Sequence, residues 1–213
     1  MARFGLMIGP LTESRTTRRL ATLVHRLMPA GHELVELMYG DLPHHSPYSD
    51  VPAPSDGLAW RRSVAELDAL IVITSSHTRS IPGTLKNALD WAGADGSSRE
   101  LDGKPVAIAG AAIDEPGAFA SLTHLRTVLS DAGARLMGQP EHMFTVLDGS
   151  LDDDGTCTDP VLFGAAEEFL AGAVGHAVHQ LRASGSLPVV SAPESPAVGI
   201  PLAAAPAAAP EPA

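Results

Sequence analysis

Three short segments concentrate the side chains that could do chemistry. Gly9-Pro10-Leu11-Thr12-Glu13-Ser14-Arg15-Thr16-Thr17 sets the hydroxyls of Thr12, Ser14, Thr16 and Thr17 and the Arg15 guanidinium ahead of a helical pattern. The free amide donors and the positive dipole end of such a helix favour an anion, and hydroxyls with a guanidinium add charge-assisted bonds. This points to a phosphate, while a plain N-cap cluster with the other hydroxyls solvated is the alternative. A second segment, Ser75-Ser76-His77-Thr78-Arg79-Ser80-Ile81-Pro82, adds an imidazole and a second guanidinium. A third, Ala111 to Ala118, reads Ala-Ala-Ile-Asp-Glu-Pro-Gly-Ala.

Other constellations carry less. The first segment lacks the Gly-x4-Gly-Lys-Ser/Thr phosphate loop and the Gly-x-Gly-x2-Gly fingerprint, which argues against nucleotide hydrolysis and a Rossmann dinucleotide site. No Gly-x-Ser-x-Gly elbow supports a serine hydrolase. His176 and His179 lie three apart on a helical pattern but have no third ligand nearby, so no metal site is expected. Cys157 sits beside acidic residues that disfavour its thiolate, and the Asp152–Asp154 run reads as solvated surface. His44, His45 and Tyr48 belong to a Pro-rich connection, His44 to Pro54, read as surface loop with a lid or subunit contact as the alternative.

These segments must be held by a scaffold, and the apolar pattern supplies one. Arg3–Ile8, Glu33–Met38, Ala69–Thr74, Pro105–Gly110 and a run over Arg135–Leu147 have strand length and character. Between them Leu20, Val24 and Leu27 recur at helical spacing, as do Phe119, Leu122, Leu125 and Leu129, and then Leu162, Ala166, Phe169, Ala173, Ala177 and Leu181. Asp159-Pro160 reads as a cap and first-turn pair for the last helix. Alternation of five strands with five helices predicts an α/β fold, a doubly wound five-stranded parallel sheet in the order 2-1-3-4-5. In that order ligands bind at the carboxyl ends of the strands where the order reverses, and the three segments above are the loops at that place.

Length and charge narrow the class. At 213 residues the chain suits one domain, Met1 to Ser184, followed by a tail. From Leu187 to Ala213 there are seven Pro and nine Ala, so residues 185–213 are expected to be a disordered tail, inert or partner-docking. One cysteine permits no internal disulfide, consistent with a reducing, cytoplasmic setting. A net charge of −11 opposes nucleic acid and anionic membranes as partners, and Met1–Ile8 is too short for a membrane span.

The run Ser80-Ile81-Pro82-Gly83-Thr84-Leu85-Lys86-Asn87-Ala88-Leu89-Asp90-Trp91 resembles the segment Ser-Ile-Pro-Gly-x-Leu-Lys-Asn-Ala-Leu-Asp-Trp of the NAD(P)H-dependent FMN reductases, a branch of the flavodoxin-like flavoproteins. Gly110-Ala111 and His124-Leu125-Arg126 are similar to residues that family carries at those places, and the likeness spans about Arg3 to Pro140. The resemblance implies FMN held by the three loops, NADH or NADPH as donor, and reduction of flavin, quinone or a related small acceptor. It further implies a homodimer or homotetramer. On this reading Pro10, Thr12, Ser14, Arg15, Thr16, Thr17, Ser75, Ser76, His77, Thr78, Arg79, Ser80, Ala111 and Ala112 hold the cofactor, and no catalytic side chain is assigned, since the flavin carries the hydride chemistry.

The chain departs from the family pattern in two loops. The first has Gly9-Pro10-Leu11-Thr12 where Gly-Ser-x-Arg is common, with Arg15 a few residues on. The second has Ser75-Ser76-His77-Thr78-Arg79 where Pro-Glu-Tyr-Asn-Gly is common. Arg79 in place of Gly either changes the loop path, blocks the ring or adds a positive contact that favours a reduced, anionic flavin. An Arg in the crevice also suits an anionic substrate such as a carboxylate or sulfonate. Lys86, Asn87 and Asp90 are expected to be structural, with Leu85, Leu89 and Trp91 fixing their helix to the core or to a second subunit. The alternative to a reductase is a relative with weak or no FMN binding that acts as a partner or ligand-binding subunit. An electron carrier of the flavodoxin kind ranks last, because Ser75–Pro82 has no aromatic to stack on a flavin.

Overall fold

The computed structural model describes residues 1–11, 15–46, 53–93, 99–112 and 115–186. The described residues form six strands and five helices, alternating as far as β5: β1 (Arg3–Gly9), α1 (Arg15–Leu27), β2 (Glu33–Glu36), α2 (Ser55–Ala65), β3 (Ala69–Thr74), α3 (Gly83–Gly93), β4 (Pro105–Ala112), α4 (Glu115–Asp131), β5 (Arg135–Leu136), β6 (His142–Thr145) and α5 (Pro160–Ala183). The sheet is parallel in the order β2-β1-β3-β4-β5, with β6 also pairing with β4. The tail expected from Leu187 onward lies outside the described residues.

Period-two alternation explains why both faces need helices. Phe4, Leu6 and Ile8 of β1, Ile71 and Ile73 of β3, and Ala107, Ala109 and Ala111 of β4 share one core with α1 and α5. Met7, Leu70, Val72, Val106 and Ile108 point the other way, into a core with α2, α3 and α4. Strands buried on both faces read as continuous apolar runs. The small β4 residues meet small α5 residues, Ala166, Ala173 and Ala177, so the helix lies close to the sheet. At Gly110 the reason for glycine is direct, because an added Cβ would fall 3.0 Å from the Ala118 Cβ of α4.

The expected fifth strand, Arg135–Leu147, is two strands. Register passes from Val106↔Leu136 to Ala109↔His142, leaving three surplus residues between the paired segments. Gly138 and Pro140 lie there; proline offers no ladder donor and glycine weakens a strand. Arg126 of α4 spans the interruption, donating to the Met137 carbonyl at 3.4 Å and to Glu141 Oε1 at 3.1 Å.

Helix α2 follows the Pro-rich connection, and its residue Gly57 has the Trp91 ring packed against it; a Cβ there would lie 2.5–2.7 Å from three ring carbons. At the start of α5 the Asp159 carboxylate accepts from the amides of Val161 and Leu162, as its spacing predicts. The acidic loop Asp152–Asp154 is exposed, as expected, and also bonds to α1 at the surface: Arg19 Nε lies 2.7 Å from Asp153 Oδ1, and Arg26 donates to the Asp154 carbonyl at 3.0 Å. Phe119, expected on the buried stripe of α4, is 55% exposed, because the stripe runs through Ala118, Leu122, Leu125 and Leu129.

Candidate flavin site

β1, β3 and β4 end side by side, in register from Ile8↔Ile73 and Gly9↔Thr74 across to Thr74↔Gly110. Their carboxyl ends bring the three chemistry-bearing loops to one edge, where the strand order reverses. The first and second loops are tied together by the Ser75 amide, which donates to the Gly9 carbonyl at 2.8 Å. A Cβ on Gly9 would sit 2.9 Å from Leu85 Cδ2 and 3.3 Å from Pro82 Cγ, so glycine here allows the two segments to close up.

In the first loop Pro10 follows β1 directly and is half-buried. Thr12 and Ser14 lie outside the described residues, as does the side chain of Arg15, whose backbone opens α1. Thr16 is half-buried, and Thr17, with a partner of its own, is fully buried in the first turn. That turn contains no acidic residue, so nothing there opposes an anion at the helix N-terminus.

The second loop is a tight hairpin. The His77 amide donates to the Ser80 carbonyl at 2.7 Å, and the Ser80 amide returns to the His77 carbonyl at 3.0 Å. Thr78 and Arg79, the two central residues, have φ of 51° and 63°. Positive φ at both central positions is the signature of a type I′ turn, which ordinarily takes Asn-Gly. Arg79 therefore keeps the backbone conformation natural to glycine, and its presence does not divert the loop path in the way a right-handed residue would. His77, Thr78 and Arg79 are exposed, while Ser75, Ser76 and Ser80 are half-buried. Ser80 Oγ lies 2.6 Å from His124 Nδ1, which fastens the turn to α4.

In the third loop Ala111 and Ala112 prove to be the last residues of β4. The Ala111 side chain is wholly buried in the α5-side core, so only its backbone is on offer to a ligand. The Ala112 carbonyl accepts from the Val146 amide at 3.0 Å.

The shared run Ser80–Trp91 acquires a physical account. Asn87 clamps the connection that precedes α2: its Nδ2 donates to the Pro43 carbonyl at 3.0 Å, and its Oδ1 accepts from the His45 amide at 2.9 Å. Trp91 Nε1 donates to the same Pro43 carbonyl at 2.7 Å, and the His45 ring meets the indole edge-on. Of the two expected roles for Trp91, the core contact is the one observed, at 6% exposure. Lys86 and Asp90 pair along α3 at 2.6 Å. These bonds join segments more than forty residues apart, and no local pattern announces them.

A cavity of about 490 Å³ lies on the other side of the first loop, between Leu11, the stretch after β2 and α2. Tyr39 lines it, and its buried hydroxyl donates to the Ile8 carbonyl at 2.6 Å. Burial, with Glu36 nearby, holds the Tyr39 phenol far above its ordinary range, so it is a fixed neutral donor beneath the end of β1.

FMN asks for a phosphate site, donors for the polar edge of its ring and room at the sheet edge. The α1 N-terminus suits the phosphate. The amides of Ser76, Thr78 and Arg79 have no partner among the described residues and are available to ring oxygen and nitrogen acceptors. The residues present therefore fit the group.

Comparison with known proteins agrees with this fold. The family model described as NADPH-dependent FMN reductase matches residues 2–157. A 2-hydroxy-1,4-benzoquinone reductase from Burkholderia sp is 31% identical over 153 residues, covering 72% of this chain and 84% of that protein. A quinone reductase from Pseudomonas putida is 29% identical over 157 residues, covering 72% and 83%. Among solved structures, FerB, a flavoenzyme NAD(P)H:(acceptor) oxidoreductase from Paracoccus denitrificans, superposes with a TM-score of 0.72 at 28% identity, covering 83% of this chain and 99% of that one. With the family model covering most of the folded part and the fold agreeing, the chain belongs to the NADPH-dependent FMN reductase family.

Proposed function

We propose that the protein is an NAD(P)H-dependent oxidoreductase that uses FMN and delivers electrons to a quinone or to free flavin. The observation that carries this reading is the meeting of three loops at the carboxyl ends of β1, β3 and β4, in a chain whose family model is that of FMN reductases. Bound FMN supplies the hydride-accepting and hydride-donating centre. The protein contributes position and electrostatics. Pro10, Thr12, Ser14, Arg15, Thr16 and Thr17 surround the phosphate, Thr17 through its place in the α1 turn. Ser75 to Ser80 line the ring through backbone donors and the His77 and Arg79 side chains, and the backbone of Ala111 and Ala112 closes the third side. Positive groups beside the ring favour its reduced, anionic form.

The relatives are named as reductases, which does not favour a flavin-free partner subunit. A homodimer formed through α3 and α4 is part of the proposal. A shallow cavity of about 190 Å³ runs between those helices beside Lys86, Leu89 and Val128, and Trp91, being buried, takes no part. The reading also places the protein in the cytoplasm, with neither nucleic acid nor membrane as partner; α5 is apolar and long, but packs on the sheet.

The test is direct. Purified protein titrated with FMN should bind it with quenching of flavin fluorescence, and the complex should oxidise NADH or NADPH faster when a quinone is added. Absence of flavin binding at tens of micromolar would refute the proposal, and sedimentation would read the dimer.

A further inference from the structure

The Thr78–Arg79 turn holds two side chains on a backbone conformation that favours glycine. Residues other than glycine seldom adopt positive φ, and a β-branched residue least of all, yet both central positions do so here. Such strain persists only where the surroundings hold it, and here they do, through the reciprocal His77–Ser80 bonds and the Ser80–His124 contact. What the turn presents is an exposed guanidinium. Arg79 has no ion pair among the described residues, a condition it shares with Arg62, Arg99, Arg135 and Arg182, but of these five it alone stands on a loop at the carboxyl ends of the strands, in a chain of net charge −11. The segment Ser75–Pro82 contains no acidic residue, and His77 opens the same turn.

We propose that Arg79, with His77 beside it, selects acceptors bearing a negative charge next to a flat quinoid ring, as an ionised hydroxyl, carboxylate or sulfonate, over neutral quinones of similar size. This rests on the quinone-reductase reading and adds the substrate class. A guanidinium matches such oxygens with paired N–H donors, and the loop that carries it offers no carboxylate of its own. The anion is held by Arg79 and takes no part in the electron transfer itself.

The experiment uses the full chain with FMN, as wild type, Arg79→Gly and Arg79→Lys. The probes are 2-hydroxy-1,4-naphthoquinone, ionised at neutral pH, and neutral 2-methoxy-1,4-naphthoquinone. Glycine suits the turn, so the Arg79→Gly protein retains its fold. The ratio of kcat/KM for the hydroxy over the methoxy compound should fall about fivefold in Arg79→Gly and be largely kept in Arg79→Lys. Equilibrium dialysis should show the dissociation constant of the hydroxy compound rising about fivefold, with its dependence on salt removed. An unchanged ratio and an unchanged dissociation constant overturn the proposal. A selective rise in KM for NADPH over NADH, with the quinone ratio intact, overturns it too, by assigning the cation to the donor's phosphate. If the wild type oxidises neither nicotinamide with either quinone, the functional reading falls, and the dialysis still decides the anion preference by itself.

Discussion

Ser80 Oγ and His124 Nδ1, 2.6 Å apart and separated by 44 residues, tie the turn after β3 to the middle of α4. Because α4 issues from the third loop and the Ser75 amide bonds the end of β1, this contact completes a chain of bonds through all three loops. Ser80→Ala removes one bond of about 1 kcal/mol. We expect FMN to bind about fivefold more weakly in that variant, and the Ser80 amide to exchange faster with solvent. Both are read by titration and by hydrogen exchange; unchanged exchange would show that the turn stands without its brace.

The same turn predicts a stability gain. Replacing Thr78 by Asn and Arg79 by Gly puts the preferred type I′ pair on a backbone already at φ 51° and 63°. The double variant should unfold about 1–2 kcal/mol later than wild type, with a melting temperature higher by roughly 2–8 °C. A lower melting temperature would mean that the Thr78 and Arg79 side chains make contacts worth more than the strain. This stabilised variant should also lose the anion preference.

The layout of the sheet was legible from sequence because β1, β3 and β4 are buried on both faces and read as unbroken apolar runs. Helix α2 was counted among the five helices but not placed, since its buried stripe, Gly57, Trp60 and Val64, is thin and its one large anchor, Trp60, is fixed by a distant bond to the Ala88 carbonyl at 2.8 Å. The break between β5 and β6 was signalled by Gly138 and Pro140, but periodicity alone passed over it. At the site, loop composition marked the second loop, whereas its positive-φ turn, its His124 brace and the Asn87 clamp depend on partners far away in the chain. Ala111 shows the opposite error: a residue counted in a loop belongs to a strand, because β4 runs on to pair with Phe144 and Thr145 of β6.

Asn87 offers a test of the clamp. Asn87→Leu leaves the His45 amide without its acceptor and removes one of two donors to the Pro43 carbonyl. Urea unfolding should show a loss of about 1–3 kcal/mol. Trp91→Phe, which removes the other donor while keeping most of the ring, should cost less, and the two losses should not add, because the residues share one acceptor.

Gly57→Ala sets helix propensity against packing. Alanine gains about 1 kcal/mol over glycine within a helix, but its Cβ would press into the Trp91 ring at 2.5–2.7 Å. Overpacking of this kind costs about 1–3 kcal/mol, and Trp91 is held by the Pro43 bond, so the indole has little freedom to retreat. The variant should be net destabilised in urea, and Trp91→Leu in the same chain should recover part of the loss by making room.

His142 is expected to make the fold sensitive to acid. Its ring lies 5.0 Å from that of Phe169 and stacks near Phe144, at 8% exposure. Burial lowers its pKa below the ordinary 6.5, against a weaker upward pull from Glu168. The folded chain therefore holds the neutral imidazole, and the unfolded chain takes up a proton first as the pH falls. The contribution is complete above pH 6.5 and is lost as the pH drops from there through the folded value. Unfolding free energy measured in urea from neutral pH downward should decline across that window. In His142→Phe the decline should be shallower, while the stability at neutral pH reports the repacking alone. A decline of equal steepness in both proteins would place the acid sensitivity on other groups.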